Sequence, residues 1–296
     1  MEFIKAKTIL SKIKYGNQWY GIDYNMNLYR GCSHGCIYCD SRSNCYHIEN
    51  FDTVKGKDKA LEILEEELIR KRDKGIIGIG AMSDTYNPQE IKYELTRGAL
   101  KLISKYNYGV SIDTKSDLII RDIDLLKEIN KKNNVIIKFT ITTPRDEIAK
   151  IIEPHVCTSS KRLEAIKKLS ENGIFTGIMM NPTLPFITDS EEDIKRLVKL
   201  AHENGAKFIH TYMGMTLREN QRDYYFKQLD KNFKGLKEKY IKYYGNKYHC
   251  ATPKCKELYK IFKEECDRYG ILYNMKDIIK AYKKEIPEDE QMTLFI

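Results

Sequence analysis

Cys32, Cys36 and Cys39 stand in the run Tyr29-Arg30-Gly31-Cys32-Ser33-His34-Gly35-Cys36-Ile37-Tyr38-Cys39, with Cys45 shortly after. Thiolates ligate soft metals and iron–sulfur clusters, and this spacing lets one short loop present three of them to one centre. A cubane cluster takes four ligands, so a local set of three leaves one iron open to another molecule. A zinc knuckle would use the same cysteines with His34 or Cys45 as the fourth ligand. The plainest alternative is a trio of buried structural cysteines. Eight cysteines in a chain that opens without a secretory apolar stretch point to metal binding or catalysis rather than a disulfide framework, in a reducing, cytoplasmic setting.

A second group, Cys250, Cys255 and Cys266 with His249 beside them, has the residue types for an auxiliary iron–sulfur cluster or zinc site. Against that, Cys266 reads as a buried apolar residue inside a helix. Cys157 is a lone cysteine and reads as buried and inert. Ser83 and Asp84 follow an apolar run and would accept from an amine or a ribose. The neighbouring Asn87-Pro88-Gln89-Glu90 reads as a helix start. Lys115 follows another apolar run and would pair with a carboxylate or stand in solvent.

The elements that must position these residues recur in order. Apolar strands are expected over 24–29, 76–82, 108–114, 134–142, 173–181 and 207–214. Helical periods cover 57–73, 90–106, 121–131, 159–172 and 190–204. Such alternation predicts βα units on a parallel sheet, an α/β fold whose chemistry gathers at the C-terminal ends of the strands. From 215 the chain turns to Lys- and Tyr-rich helical stretches over 219–244, 253–269 and 275–284, then an acidic, proline-broken segment. The expected division is a core over 1–214, a helical extension over 215–284 and a tail over 285–296. A hydrophobic fraction of 42% supports a substantial core, and the absence of a long uncharged apolar run predicts no membrane span. The net charge of +9 favours a polyanionic partner.

The cysteine run, C-x3-C-x-aromatic-C past an alternating segment, resembles the signature of the radical S-adenosylmethionine (SAM) superfamily. Further runs narrow it: S-D-x-Y-x-P-x-E from Ser83, L-T-R at 95–97, T-K-S-x-L-I-x-R-D at 114–122, I-E-P at 152–154, R-L-x-A-I at 162–166 and N-P-x-x-P at 181–185. In this order they resemble the relatives of spore photoproduct lyase. The resemblance implies a partial (β/α)6 barrel, a [4Fe-4S] cluster on Cys32, Cys36 and Cys39, and SAM chelated to its open iron. It implies Tyr38 beside the adenine, Ser83 and Asp84 in the motif for the SAM amino group, Lys115 on the SAM carboxylate, and Thr140 or Thr142 near the ribose. It also implies a reductant of flavodoxin or ferredoxin type. Spore photoproduct lyase carries a hydrogen-donating cysteine three residues before the motif aspartate, and Ala81 stands there in this chain. Cys45, Tyr46 and Tyr86 are the candidates to replace it.

The tail residues Gln291, Leu294 and Phe295 resemble the Q-x-x-L-F motif that binds the bacterial sliding clamp, by an apolar pair docking in a groove. With the positive charge, this makes DNA the expected partner. The expected function is a radical SAM enzyme that cleaves SAM to a 5′-deoxyadenosyl radical and takes hydrogen from a DNA-associated substrate. The rivals are a radical SAM modifier of RNA, peptide or a small metabolite, and a clamp-tethered DNA-binding protein whose cluster is structural.

Overall fold

The computed structural model describes residues 1–14 and 18–284. The clamp-motif reading at Gln291, Leu294 and Phe295 lies outside the described residues. Six strands, β1 (Tyr24–Met26), β2 (Ile76–Ile79), β3 (Gly109–Thr114), β4 (Val135–Thr140), β5 (Phe175–Met180) and β6 (Phe208–Thr211), lie parallel in sequence order. A short strand, Leu10–Lys12, pairs antiparallel on the outer edge of β1. The crossovers are α1 (Ala60–Arg70), α2 (Leu95–Lys105), α3 (Ile123–Lys132), α4 (Ser159–Glu171) and α5 (Glu191–Glu203).

Alternation along each strand divides two apolar layers, because successive side chains point to opposite faces. Val110, Ile112, Ile137, Phe139 and Ile178 pack under the helices with Leu100, Leu126 and Leu169. Ile136, Met179 and Phe208 point the other way and meet Tyr20, Ile22, Ile278 and Tyr282. The strands therefore curl into the expected partial (β/α)6 barrel. Each fully buried aliphatic or aromatic side chain of these layers contributes roughly 1.5–3 kcal/mol.

After β6 come α6 (Gln221–Asn232), α7 (Leu236–Tyr244), α8 (Cys255–Tyr269) and α9 (Met275–Tyr282). The long helix expected over 219–244 is divided at Phe233 to Gly235, where Gly235 takes φ 77°. Helix α8 shares the barrel's outer core through Leu258 and Phe262, and α9 closes the inner layer through Ile278 and Tyr282.

Three other local differences matter to the site. The first expected strand ends at Met26, and Tyr29–Arg30 joins a separate small sheet with Lys55–Lys57 and Glu2–Ile4. The helix expected over 90–106 breaks at Glu94, which has φ 48°. The Glu90 carboxylate accepts the N–H groups of Thr96 at 2.9 Å and Arg97 at 3.2 Å, so it caps the orphan donors at the start of α2. Finally, a short helix over Asp146–Ile152 follows β4 and carries the Glu153 segment under the cysteine loop.

Candidate active site

The cysteine loop is held by backbone hydrogen bonds from three directions. Cys32 N–H donates to Phe51 at 2.8 Å, Ile37 N–H to Ile152 at 2.9 Å, and His155 N–H to the His34 carbonyl at 3.2 Å. Gly31 and Gly35 take φ 79° and 69°, and a Cβ on Gly35 would sit 2.9 Å from the His155 ring. Only glycine fits a left-handed turn with that approach.

Cys32, Cys36 and Cys39 line one cavity of about 390 Å³ at the C-terminal ends of the strands, together with Ser83, Asp84 and Lys115. Burial pushes the Cys39 thiol up to about 11, and the neighbouring Cys32 adds to the rise while Lys115 opposes it. Cys36 is likewise raised by burial, against the pull of Lys115, and it feels both Cys39 and Cys32. Three thiols within electrostatic reach of one another, beside an ammonium, fit the ligand set of a cluster with one open iron.

The Asp84 carboxylate is spent on the protein. One oxygen accepts from Tyr86 N–H at 2.9 Å and Thr114 Oγ1 at 2.8 Å; the other accepts Lys115 N–H at 2.7 Å and lies 3.5 Å from His34 Nδ1. Ser83 donates its hydroxyl to the Gly31 carbonyl. These residues thus lock the tips of β2 and β3 to the cysteine loop. Burial alone would lower the Lys115 ammonium, but Cys36, Glu153, Asp84 and Cys39 around it hold it charged. It is a cation placed for an anionic group. Tyr38 and Thr140 also line the cavity. Thr142 does not; it lies buried past the end of β4.

None of the three hydrogen-donor candidates lines the cavity. Tyr86 is 1% exposed and donates to Asp122 at 3.1 Å, on the helix side of the barrel. Cys45 is exposed, 3.0 Å from an Arg218 nitrogen, and Tyr46 points its hydroxyl at Asp40, 3.3 Å away. Ala81 does face the cavity.

The auxiliary metal site is also corrected. Cys255 opens α8 and Cys266 lies eleven positions along it; at 1.5 Å per residue they stand about 16 Å apart along the axis. Cys266 packs in the barrel's outer core, whereas Cys250 belongs to the cluster around Tyr225 and Tyr240. Three ligands so divided cannot share one centre.

Other quoted motif residues form a buried scaffold. Glu90 accepts from Tyr29 and, at 2.8 Å, from Arg121; Asp122 accepts from Arg97 at 2.6 Å and from Arg121 at 2.9 Å. Both carboxylates are fully buried, and Tyr29 leads directly into the cysteine loop.

Sequence reasoning missed most of the inner wall, Trp19, Asp113, Met179 and Tyr212, while Asn181 of the N-P-x-x-P motif joins them. Asp113 was accessible from strand alternation, since it falls on the inward face of β3. Nothing local in the sequence marks Trp19.

The sequence model of the radical SAM superfamily matches residues 26–201. An uncharacterized protein of Methanocaldococcus jannaschii is 36% identical over 188 residues, covering 64% of this chain and 69% of that one. An uncharacterized protein of Mycobacterium tuberculosis is 28% identical over 228 residues, covering 75% and 67%. Among solved structures, spore photoproduct lyase complexed with dinucleoside spore photoproduct superposes with a TM-score of 0.67 at 15% identity, covering 91% of this chain and 80% of that one. That likeness establishes a shared fold. No helix among the described residues is long and apolar enough to cross a membrane. With three cysteines at one cavity on the strand ends, and more than half the chain matching the family, this protein belongs to the radical SAM superfamily, as an enzyme that uses a [4Fe-4S] cluster and SAM.

Proposed function

We propose that this radical SAM enzyme acts on nucleic acid, DNA foremost, at an unpaired or damaged base brought to the barrel mouth. The observation that carries this is the rim. Trp19 and Tyr212, 42% and 40% exposed, stand at the cavity edge. Beside Tyr212 lies His249, with Tyr248 packed on it at 4.4 Å and the Arg218 guanidinium 5.3 Å from the Tyr248 ring. Exposed aromatic faces interleaved with cations suit stacked bases and their phosphates. The solved neighbour of the same fold is named with a dinucleoside lesion bound, which agrees with this reading.

In this reading Cys32, Cys36 and Cys39 hold the cluster, and Lys115 holds the SAM carboxylate. Ser83 and Asp84 fix the strand tip that faces the SAM amino group. Tyr38 and Thr140 flank the nucleoside part. With both groups bound, the chemistry supplied is abstraction of a hydrogen atom by the 5′-deoxyadenosyl group of SAM. Ala81 offers only a methyl group where spore photoproduct lyase has a thiol, so a hydrogen returned to the product comes from another group.

The test is anaerobic turnover with perdeuterated single-stranded DNA, duplex DNA or RNA, scoring deuterium in 5′-deoxyadenosine by mass spectrometry. Transfer from DNA is expected. Transfer from RNA alone, or from neither polymer while 5′-deoxyadenosine still forms, overturns the DNA reading in favour of RNA, peptide or a small metabolite.

A further inference from the structure

The I-E-P and R-L motifs meet under the cysteine loop. Glu153 and Arg162 are 1% and 0% exposed, with an Arg162 nitrogen 2.5 Å from Glu153 Oε2. Tyr38, next to Cys39, donates its hydroxyl to the other Glu153 oxygen. Arg162 uses its remaining donors on backbone, reaching the Thr140 carbonyl at 2.8 Å and the Cys157 carbonyl at 3.0 and 2.8 Å. One buried pair therefore ties the cysteine loop, the segment beneath it and the C-terminal end of β4 into a single unit. Apolar side chains of the same volume would hold a core as well as a buried ion pair does. What the pair adds is direction, because the Tyr38–Glu153 and Arg162–Thr140 hydrogen bonds each fix a residue that lines the cavity.

We infer that Glu153 and Arg162 are positioning residues for the cysteine loop. Through Tyr38 they fix the Cys36 to Cys39 turn against Thr140, so the thiols and the nucleoside-facing wall keep one geometry. This deepens the reading of those cysteines as cluster ligands and rests on it for its bearing on SAM.

The decisive measurement uses the metal-free chain, with Tyr38→Phe and Glu153→Gln as variants. Brief iodoacetamide treatment is followed by peptide mass spectrometry of each cysteine. Cys36 and Cys39 should alkylate at least about tenfold faster in Glu153→Gln, the local opening that loss of a charge-assisted contact allows, and faster than wild type in Tyr38→Phe. Cys266, 0% exposed in the barrel's outer core and apart from the cluster that holds Cys36 and Tyr38, reports global loosening and should not change. Unchanged protection at Cys36 and Cys39 would overturn the inference, and so would a parallel rise at Cys36, Cys39 and Cys266. After reconstitution, Tyr38→Phe should keep its iron yet bind SAM about tenfold more weakly, as loss of one hydrogen bond to a charged group allows; wild-type SAM affinity would count against positioning. A wild-type chain that takes up no iron would strike at the cluster reading alone, because the alkylation pattern is read without metal.

Discussion

Replacing Lys138 with methionine probes the floor of the barrel. The Lys138 ammonium is 1% exposed, 3.1 Å from Asp113 Oδ2, 2.8 Å from Ser111 Oγ and 4.4 Å from the centre of the Tyr20 ring. Methionine preserves most of the stem and removes the charge, stranding Asp113, whose carboxyl burial already pushes up despite Lys138. Breaking a buried pair from one side costs about 3–5 kcal/mol. Asp113 retains 23% of its side-chain exposure, so water screens it and the lower end applies, about 3 kcal/mol. Large domains lose about 2–4 °C of melting temperature per kcal/mol, giving a drop of about 6–12 °C. Asp113→Asn combined with Lys138→Met removes both charges and should recover most of that loss, since a matched neutral pair costs little. Thermal and urea melts of the metal-free chain at neutral pH read both quantities. A single variant melting within about 1 °C of wild type would refute the reasoning. A double variant as unstable as the single one would refute it equally.

The triple variant Cys32→Ala, Cys36→Ala, Cys39→Ala should lose the roughly four irons per chain expected of wild type after anaerobic reconstitution. Cys250→Ala should keep them; iron assay and the visible absorbance band decide. Lys115→Met should weaken SAM binding by at least about tenfold in equilibrium dialysis of the reconstituted enzyme, since a partly buried charge partner is lost. Wild-type affinity would remove Lys115 from the carboxylate site. Burial, then the Lys138 ammonium, hold the His210 imidazole below its ordinary 6.5. The unfolded chain therefore takes up that proton first, and stability declines as pH falls through about 6.5, at up to about 1.4 kcal/mol per pH unit. His210→Gln should flatten the melting profile between about pH 7 and pH 5, and an equal slope in both proteins would dispose of this account.

The cysteine spacing and the βα alternation were fully legible in the amino-acid order, because both are local. Thiols three and four residues apart reach one centre whatever surrounds them, and a strand's apolar run follows from burial on both faces. Lys115, Ser83 and Asp84 could likewise be placed at strand ends before any fold was known. What those ends do was settled by packing. Asp84 is satisfied within the protein by Thr114, Lys115 and Tyr86, and Glu90, Arg97, Arg121 and Asp122 close on one another as a scaffold. Tyr86 is drawn into that scaffold and away from the cavity, while Cys255 and Cys266, close in number, are separated by the rise of α8. Trp19, Asp113 and Tyr212 share a wall only because the sheet curls and returns the chain's first residues to β6. Sequence periodicity reports which face of an element is buried. Which elements then face one another depends on curvature and crossover, and that is where the cavity is made.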